Sequence, residues 1–260
     1  MTLLLALTLA GGAVGCGPKN DAAPAMRQTP AAAMPELRVA AAADLAKAFA
    51  EVGAAFEKKT GQKTVFTFGA SGALTQQIEA GAPFDVFAAA NQGYLTKLEK
   101  ESKITPGTSA VYAIGQVVLW TRKSNLPTPK ALADLTGARF AHIALANPEH
   151  APYGKAAQEA LQNAKLWNAL QSKIVYGENV QQAFQFAQSG NADAALISHA
   201  LTYGADGNSL PVAQELYTPL RQAIGVVEAS KQMDAAKSFI AFVTGPQGRE
   251  ILQKYGFSLP

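Results

Sequence analysis

The 260-residue sequence predicts an α/β protein of two lobes, each a mostly parallel sheet flanked by helices, with a cleft between them. Three observations predict it. From Leu37 onward, short apolar runs alternate with stretches of helical periodicity, the order that builds parallel sheets through right-handed crossovers. That scheme runs once and begins again near Val111, so two units are expected. Small and polar residues sit where strands pass into helices, which is where open α/β sheets place ligands.

The elements follow in order. Residues 2–14 are apolar and uncharged. They are too short to span a bilayer, which takes about 20 apolar residues, and suit the core of a signal peptide. The run ends Ala13-Val14-Gly15-Cys16, which resembles a lipobox, the site where bacteria attach lipid to a cysteine and cut before it. No Lys or Arg precedes the run, a departure from that pattern. Residues 1–16 are therefore expected to be a lipoprotein signal peptide lipidated at Cys16, and residues 17–36, rich in Pro and Ala, a flexible tether.

Leu37–Ala42 is an expected strand, and Leu45, Phe49, Val52 and Phe56 give helical spacing over 45–59. Lys63–Phe68 is a strand rich in Thr, Val and Phe, 73–79 a short helix ending at Gly81, 85–89 a strand and 92–100 a helix. The second unit opens with a long strand-like run over 111–121. A short helix is expected at 130–135, strands at 141–146, 173–176 and 194–198, and helices at 155–166 and 180–188. The chain returns with a strand at 223–227 and closes with helices at 235–243 and 248–255, separated by Gly245-Pro246. The expected organisation is residues 37–112 with 225–260 as lobe 1 and 113–224 as lobe 2, with hinge crossings near Val111–Gly115 and Ala223–Gly225.

Composition narrows the function classes. With 48% apolar and 16% charged residues, the chain is neither disordered nor a charged tail. A net charge of +3 is too weak for a nucleic-acid footprint. One Cys excludes a disulfide framework and a Cys-based zinc site, and the three His form no helix-face pair.

Four strand-to-helix junctions stand out: Ala41-Ala42-Ala43-Asp44-Leu45, Phe68-Gly69-Ala70-Ser71-Gly72, 147–154 (Asn-Pro-Glu-His-Ala-Pro-Tyr-Gly) and Gly177-Glu178-Asn179-Val180. Asp44 occupies the expected N-cap of the first helix. A helix start presents unpaired backbone N–H groups and about half a positive charge, so several converging on one cleft make an anion site without any Lys or Arg. Each junction alone is ordinary α/β turn chemistry. An enzyme reading is weaker: Gly69-Ala70-Ser71-Gly72-Ala73 lacks the fifth-position Gly of a nucleophile elbow, and no spacing singles out His150 or His199 as partner. No Walker loop and no dinucleotide fingerprint is present. His142 is expected to pack within a strand, His199 to sit at the surface, and Glu149 and His150 to be solvated.

Taken together the junctions resemble the extracytoplasmic molybdate-binding proteins of ABC importers, within the type II periplasmic-binding-protein fold. The resemblance rests on Val39-Ala40-Ala41-Ala42-Ala43-Asp44-Leu45, on residues 68–74, on Gln77 through Phe87 with its Gly81-Ala82-Pro83-Phe84-Asp85 centre, and on 147–154, 177–180 and Gly245-Pro246-Gln247-Gly248. It implies a molybdate or tungstate oxyanion held in the interlobe cleft by neutral donors, with no cofactor, no metal-cation ligands and no enzymatic activity. Ser71 would give hydroxyl and backbone contacts, Tyr153 and Val180 mainly backbone N–H groups, with Ala43 and Asp44 at the first junction. The partners implied are an inner-membrane ABC permease with its ATPase and, through the lipid anchor, a membrane surface outside the cytoplasm. Nucleic acid is not a partner, and a monomer is expected.

Asp44 departs from the family pattern, which offers Ser or Thr, alone or followed by Asn. A carboxylate is an acceptor where the anion wants donors. Three outcomes stay open: Asp44 points away and caps its own helix, it is protonated beside the anion, or the ligand is a different small molecule on the same fold. A serine hydrolase using Ser71 is the enzyme alternative, and a purely structural surface lipoprotein a third class.

Overall fold

The structure, a computed structural model, describes residues 34–124 and 128–260. The expected signal peptide, Cys16 and most of the tether lie outside the described residues.

In chain order the first part holds β1 (Leu37–Ala42), a 3-10 turn (Ala43–Leu45), α1 (Ala46–Thr60), β2 (Thr64–Gly69), α2 (Ser71–Glu79), β3 (Val86–Ala89), α3 (Gln92–Lys100) and β4 (Ala110–Gly115). Next come β5 (Val117–Arg122), β6 (Ile143–Ala146), α4 (Pro152–Asn163), α5 (Trp167–Leu170), β7 (Ile174–Gly177), α6 (Val180–Ser189), β8 (Ala194–Ser198), α7 (His199–Thr202) and β9 (Gly207–Pro211). The chain ends with β10 (Leu220–Val226), α8 (Met233–Thr244) and α9 (Pro246–Lys254).

Local chemistry explains where these elements begin and end. On α1 the buried face is Ala48, Phe49, Val52 and Phe56, and the helix stops at Gly61, whose φ of 76° is left-handed. Lys58 and Lys59 stand in its last turn, where cations suit the helix dipole. Asn179 caps α6 by accepting from the N–H groups of Gln181 and Gln182. Proline opens both α4 and α9, where its missing N–H costs nothing.

Two five-stranded sheets result, ordered β2-β1-β3-β10-β4 and β7-β6-β8-β5-β9. Both are mixed, whereas mostly parallel pairing is expected from the sequence. In the first, β1 pairs parallel with β2 and β3, and β10 runs antiparallel to both β3 and β4. In the second, β6 pairs parallel with β7 and β8, and β5 runs antiparallel to β8 and β9. The reversed strand in each sheet is the one that enters it after the chain crosses over.

The run over 111–121 is therefore two strands in two sheets, divided at Gln116. The boundaries expected at 112/113 and 224/225 fall inside β4 and β10, which belong to the first sheet throughout. The changes of sheet lie at Gln116 and over 212–219. The helix expected at 130–135 is a 3-10 turn over Leu132–Thr136, and α5, α7 and β9 were not foreseen. His142 is exposed just before β6 instead of packing inside a strand.

The first sheet is covered on both faces. Leu37, Val39 and Ala41 of β1 join a large core with Phe49, Phe56 and Phe239, while Ala40 faces a smaller one with Leu74, Phe87 and Leu98. Phe56 and Phe239 meet edge to face, ring centroids 5.3 Å apart. The larger core continues into the second sheet through Trp120, which meets Phe184 of α6 edge-on at 4.9 Å. The joint between the sheets is thus packed, and the strand ends of both face one place.

Candidate functional site

At that place is a cavity of about 10 Å³, room for about one water-sized centre. Ala43, Asp44, Ser71, Tyr153 and Val180, the five candidate residues, all line it, with Gly69, Ala70, Ala90, Ala151, Pro152 and Asn179 among their neighbours. Two junctions come from each sheet. The 3-10 turn after β1 and the start of α2 face the starts of α4 and α6. Four helical N-termini therefore converge, and no Lys, Arg or His stands among the described residues that line the cavity. Ser71 is the first residue of α2, and its Oγ accepts from the N–H of Ala90 at 3.0 Å, which leaves the hydroxyl proton to donate elsewhere. No group of three His, Cys, Asp or Glu that could hold a metal ion occurs among the described residues.

Asp44 does not cap a helix: the side chain makes no capping bond to the 3-10 turn or to α1. It turns into a buried network instead. The Gln222 amide Nε2 donates to Asp44 Oδ2 at 2.5 Å and to the Tyr153 hydroxyl at 3.2 Å. Its carbonyl Oε1 accepts from the Tyr112 hydroxyl at 2.8 Å. Asp44, Gln222 and Tyr112 belong to the first sheet's half and Tyr153 to α4, so the network crosses the cleft. Oδ1 of Asp44 has no hydrogen-bond partner although it is buried. Burial pushes the Asp44 carboxyl up to about 6, with the hydrogen bonds from Gln222 and Tyr153 pulling the other way. Burial, then the charge of Asp44, raises the hydroxyls of Tyr112 and Tyr153 well above the usual range. Gly115 makes the network possible, because a Cβ there would strike the Tyr153 hydroxyl.

A second set of contacts closes the cleft from its rim. The N–H of Gly72 on α2 donates to the carbonyl of His150 at 2.8 Å, and the His150 ring Nε2 lies 3.2 Å from the carbonyl of Glu178. A Cβ on Gly72 would come within 2.9 Å of the His150 backbone. His150 is therefore a structural joint of the closed cleft and not simply a solvated loop residue. His199, expected at the surface, has a buried Nδ1 without a partner and lies against Gly256.

The sequence reading missed Gln222, Tyr112 and Ala90. Gln222 was marked: it is a glutamine in the run Leu220–Val226, where every residue but Arg221 is buried. Tyr112 and Ala90 carried no mark, since an aromatic and an alanine in strand contexts read as packing.

Two sheets joined by crossing strands, with a small cavity at the joint fed by helix starts from both sides, define a cleft-type ligand-binding protein. A family model described as bacterial extracellular solute-binding protein matches residues 37–258, and the chain belongs to that family. It is 36% identical over 233 residues to the molybdate-binding protein of Azotobacter vinelandii, covering 88% of this chain and 92% of that one. A Bacillus subtilis (strain 168) protein provisionally named as an ABC transporter substrate-binding lipoprotein is 29% identical over 225 residues, covering 85% of this chain and 86% of that one. Among solved structures, the Azotobacter vinelandii periplasmic molybdate-binding protein superposes with a TM-score of 0.82 at 31% identity, covering 86% of this chain and 100% of that chain. No helix among the described residues is long and apolar enough to cross a membrane.

Proposed function

We propose that this chain captures molybdate, and tungstate with it, in the cavity between its two sheets and delivers the anion to an ABC permease with its ATPase. The observation that carries the reading is the meeting of Ala43, Asp44, Ser71, Tyr153 and Val180 at one small cavity without a cationic side chain. Helix-start N–H groups and the Ser71 hydroxyl are the donors that suit a tetrahedral oxyanion, and fixed neutral donors select one radius and one charge. Molybdate and tungstate are nearly the same size, while the smaller sulfate falls short of some donors. The relatives named above are solute-binding proteins, and their names support the ligand class and the transport role. Attachment to a membrane through Cys16, outside the cytoplasm, and action as a monomer belong to the same proposal.

Ser71 does not serve as a nucleophile in this reading. Its Oγ accepts from a backbone N–H, and none of its hydrogen bonds goes to a histidine.

Calorimetric titration with sodium molybdate, sodium tungstate and sodium sulfate tests the proposal. Binding of the first two and not the third is expected. Ser71→Ala removes one charge-assisted hydrogen bond, about 1.5–3 kcal/mol or roughly ten- to hundredfold in affinity. Molybdate heats that vanish into dilution for the native chain, or an unchanged affinity in the Ser71→Ala variant, would count against it.

A further inference from the structure

We infer that the cavity takes its oxyanion together with one proton, held between Asp44 Oδ1 and an oxygen of the bound anion. The inference rests on the oxyanion reading above and adds how that same site handles charge.

Geometry selects the atom. Asp44 is fully buried and lines the cavity. Its Oδ2 accepts from Gln222 Nε2, and the carbonyl end of that amide accepts from Tyr112. Oδ1 has no partner. A buried oxygen without a partner beside a cavity built for hydrogen-bond donors is either a cost with no return or the seat of a donor. A proton on Oδ1 makes it the donor that the alanine at position 43 cannot supply.

No cationic side chain among the described residues lines the cavity to balance the charge. Tyr112 of β4 and Tyr153 of α4 face Asp44, both neutral because burial and the Asp44 charge hold their protons on. Neither α6 nor β2, which pack against the same turn, carries a titratable residue. Lys47 of α1 donates to the carbonyl of Tyr203 at 2.6 Å, and His199 of α7 lies against Gly256. Neither is among the groups that set the Asp44 titration. A dianion and an ionised carboxylate in contact repel, and one proton shared between them removes that repulsion. Free Asp44 titrates at about 6. Above that pH the proton is drawn from solvent on binding; below it, Asp44 already carries it.

The experiment is calorimetric titration of the full chain with sodium molybdate, in pairs of buffers with different protonation enthalpies, at pH 8 and pH 5. About one proton taken up per anion at pH 8, and about none at pH 5, is expected, with apparent affinity falling about tenfold per pH unit above about 6. Asp44→Asn should bind with no proton uptake and with a pH-independent affinity. Binding at pH 8 without proton uptake in the native chain overturns the inference and leaves the oxyanion reading intact. So does uptake that persists in Asp44→Asn. No molybdate binding at either pH removes the oxyanion reading, and the shared proton goes with it. Should Asp44→Asn fail to fold, the proton count of the native chain decides alone.

Discussion

Asp44 is fully buried, and it bears on stability as well as on binding. Its carboxyl titrates at about 6 when folded, against 3.8 for the ordinary group. Between those values the folded state holds a proton that the unfolded state has lost, so stability falls as pH rises through the interval. The full stabilisation is present below about 4 and is gone above about 6. The shift corresponds to about 3 kcal/mol. Comparing native chain with Asp44→Asn by urea unfolding in the absence of ligand, the balance should move by about 3 kcal/mol in favour of the variant between pH 4 and pH 7. A pH-independent difference would show that the carboxyl is not paying for its burial. Gln222 is the companion case. Gln222→Leu strips partners from Asp44 Oδ2 and the hydroxyls of Tyr112 and Tyr153, and should cost about 2–4 kcal/mol in the same assay. A loss below about 1 kcal/mol would mean that water replaces the amide. The sequence showed Asp44 as an anomaly but could not show its direction. That direction is set by Gln222, 178 residues away in the chain, and no local pattern encodes such a pairing.

At the scale of elements, the helix starts were the legible part. Ser71, Tyr153 and Val180 stand in the first turn of α2, α4 and α6, each following a strand, and periodicity places such junctions within a few residues. Less legible were short elements without a period of their own. Strand β9, Gly207–Pro211, contains Gly and Pro and pairs only along one side of β5, so its pattern is that of a loop. The division between β4 and β5 was hidden because both strands are apolar and a single residue, Gln116, separates them. The Gly72 junction yields a prediction at this scale. In the first turn of α2, Gly72→Ala puts in the better helix former. In the structure, however, its methyl group would lie within 2.9 Å of the His150 backbone. Forcing that contact costs about 1–3 kcal/mol of closure, roughly five- to 150-fold in molybdate affinity. Titration alongside small-angle scattering would check it: the variant should bind weakly and contract less on adding ligand. Native affinity would mean that the closed state gives way without loss at His150.

For the whole molecule, ligand and closure are linked. A ligand at about a thousand times its dissociation constant adds roughly 4 kcal/mol to the folded state. For a chain of this size the thermal midpoint should rise by several degrees with molybdate or tungstate, and stay put with sulfate. Equal shifts for all three anions would point to a site that reads charge without reading size. The two-sheet plan was visible in the sequence because the β-α alternation restarts, and alternation is a property of the whole chain that local errors do not erase. The reversed strands were not visible, because strand direction depends on where the chain re-enters a sheet, and apolar runs carry no arrow. The re-entry of β10 also orders the birth of the molecule. Residues 117–211 contain every strand of the second sheet in one continuous stretch. The first sheet keeps a gap between β3 and β4 until Val226 has been made, because β10 fills it. A nascent chain halted before Leu220 would therefore expose two unpaired strand edges, each a template for another chain. That interval of synthesis is when these edges stand open to other chains.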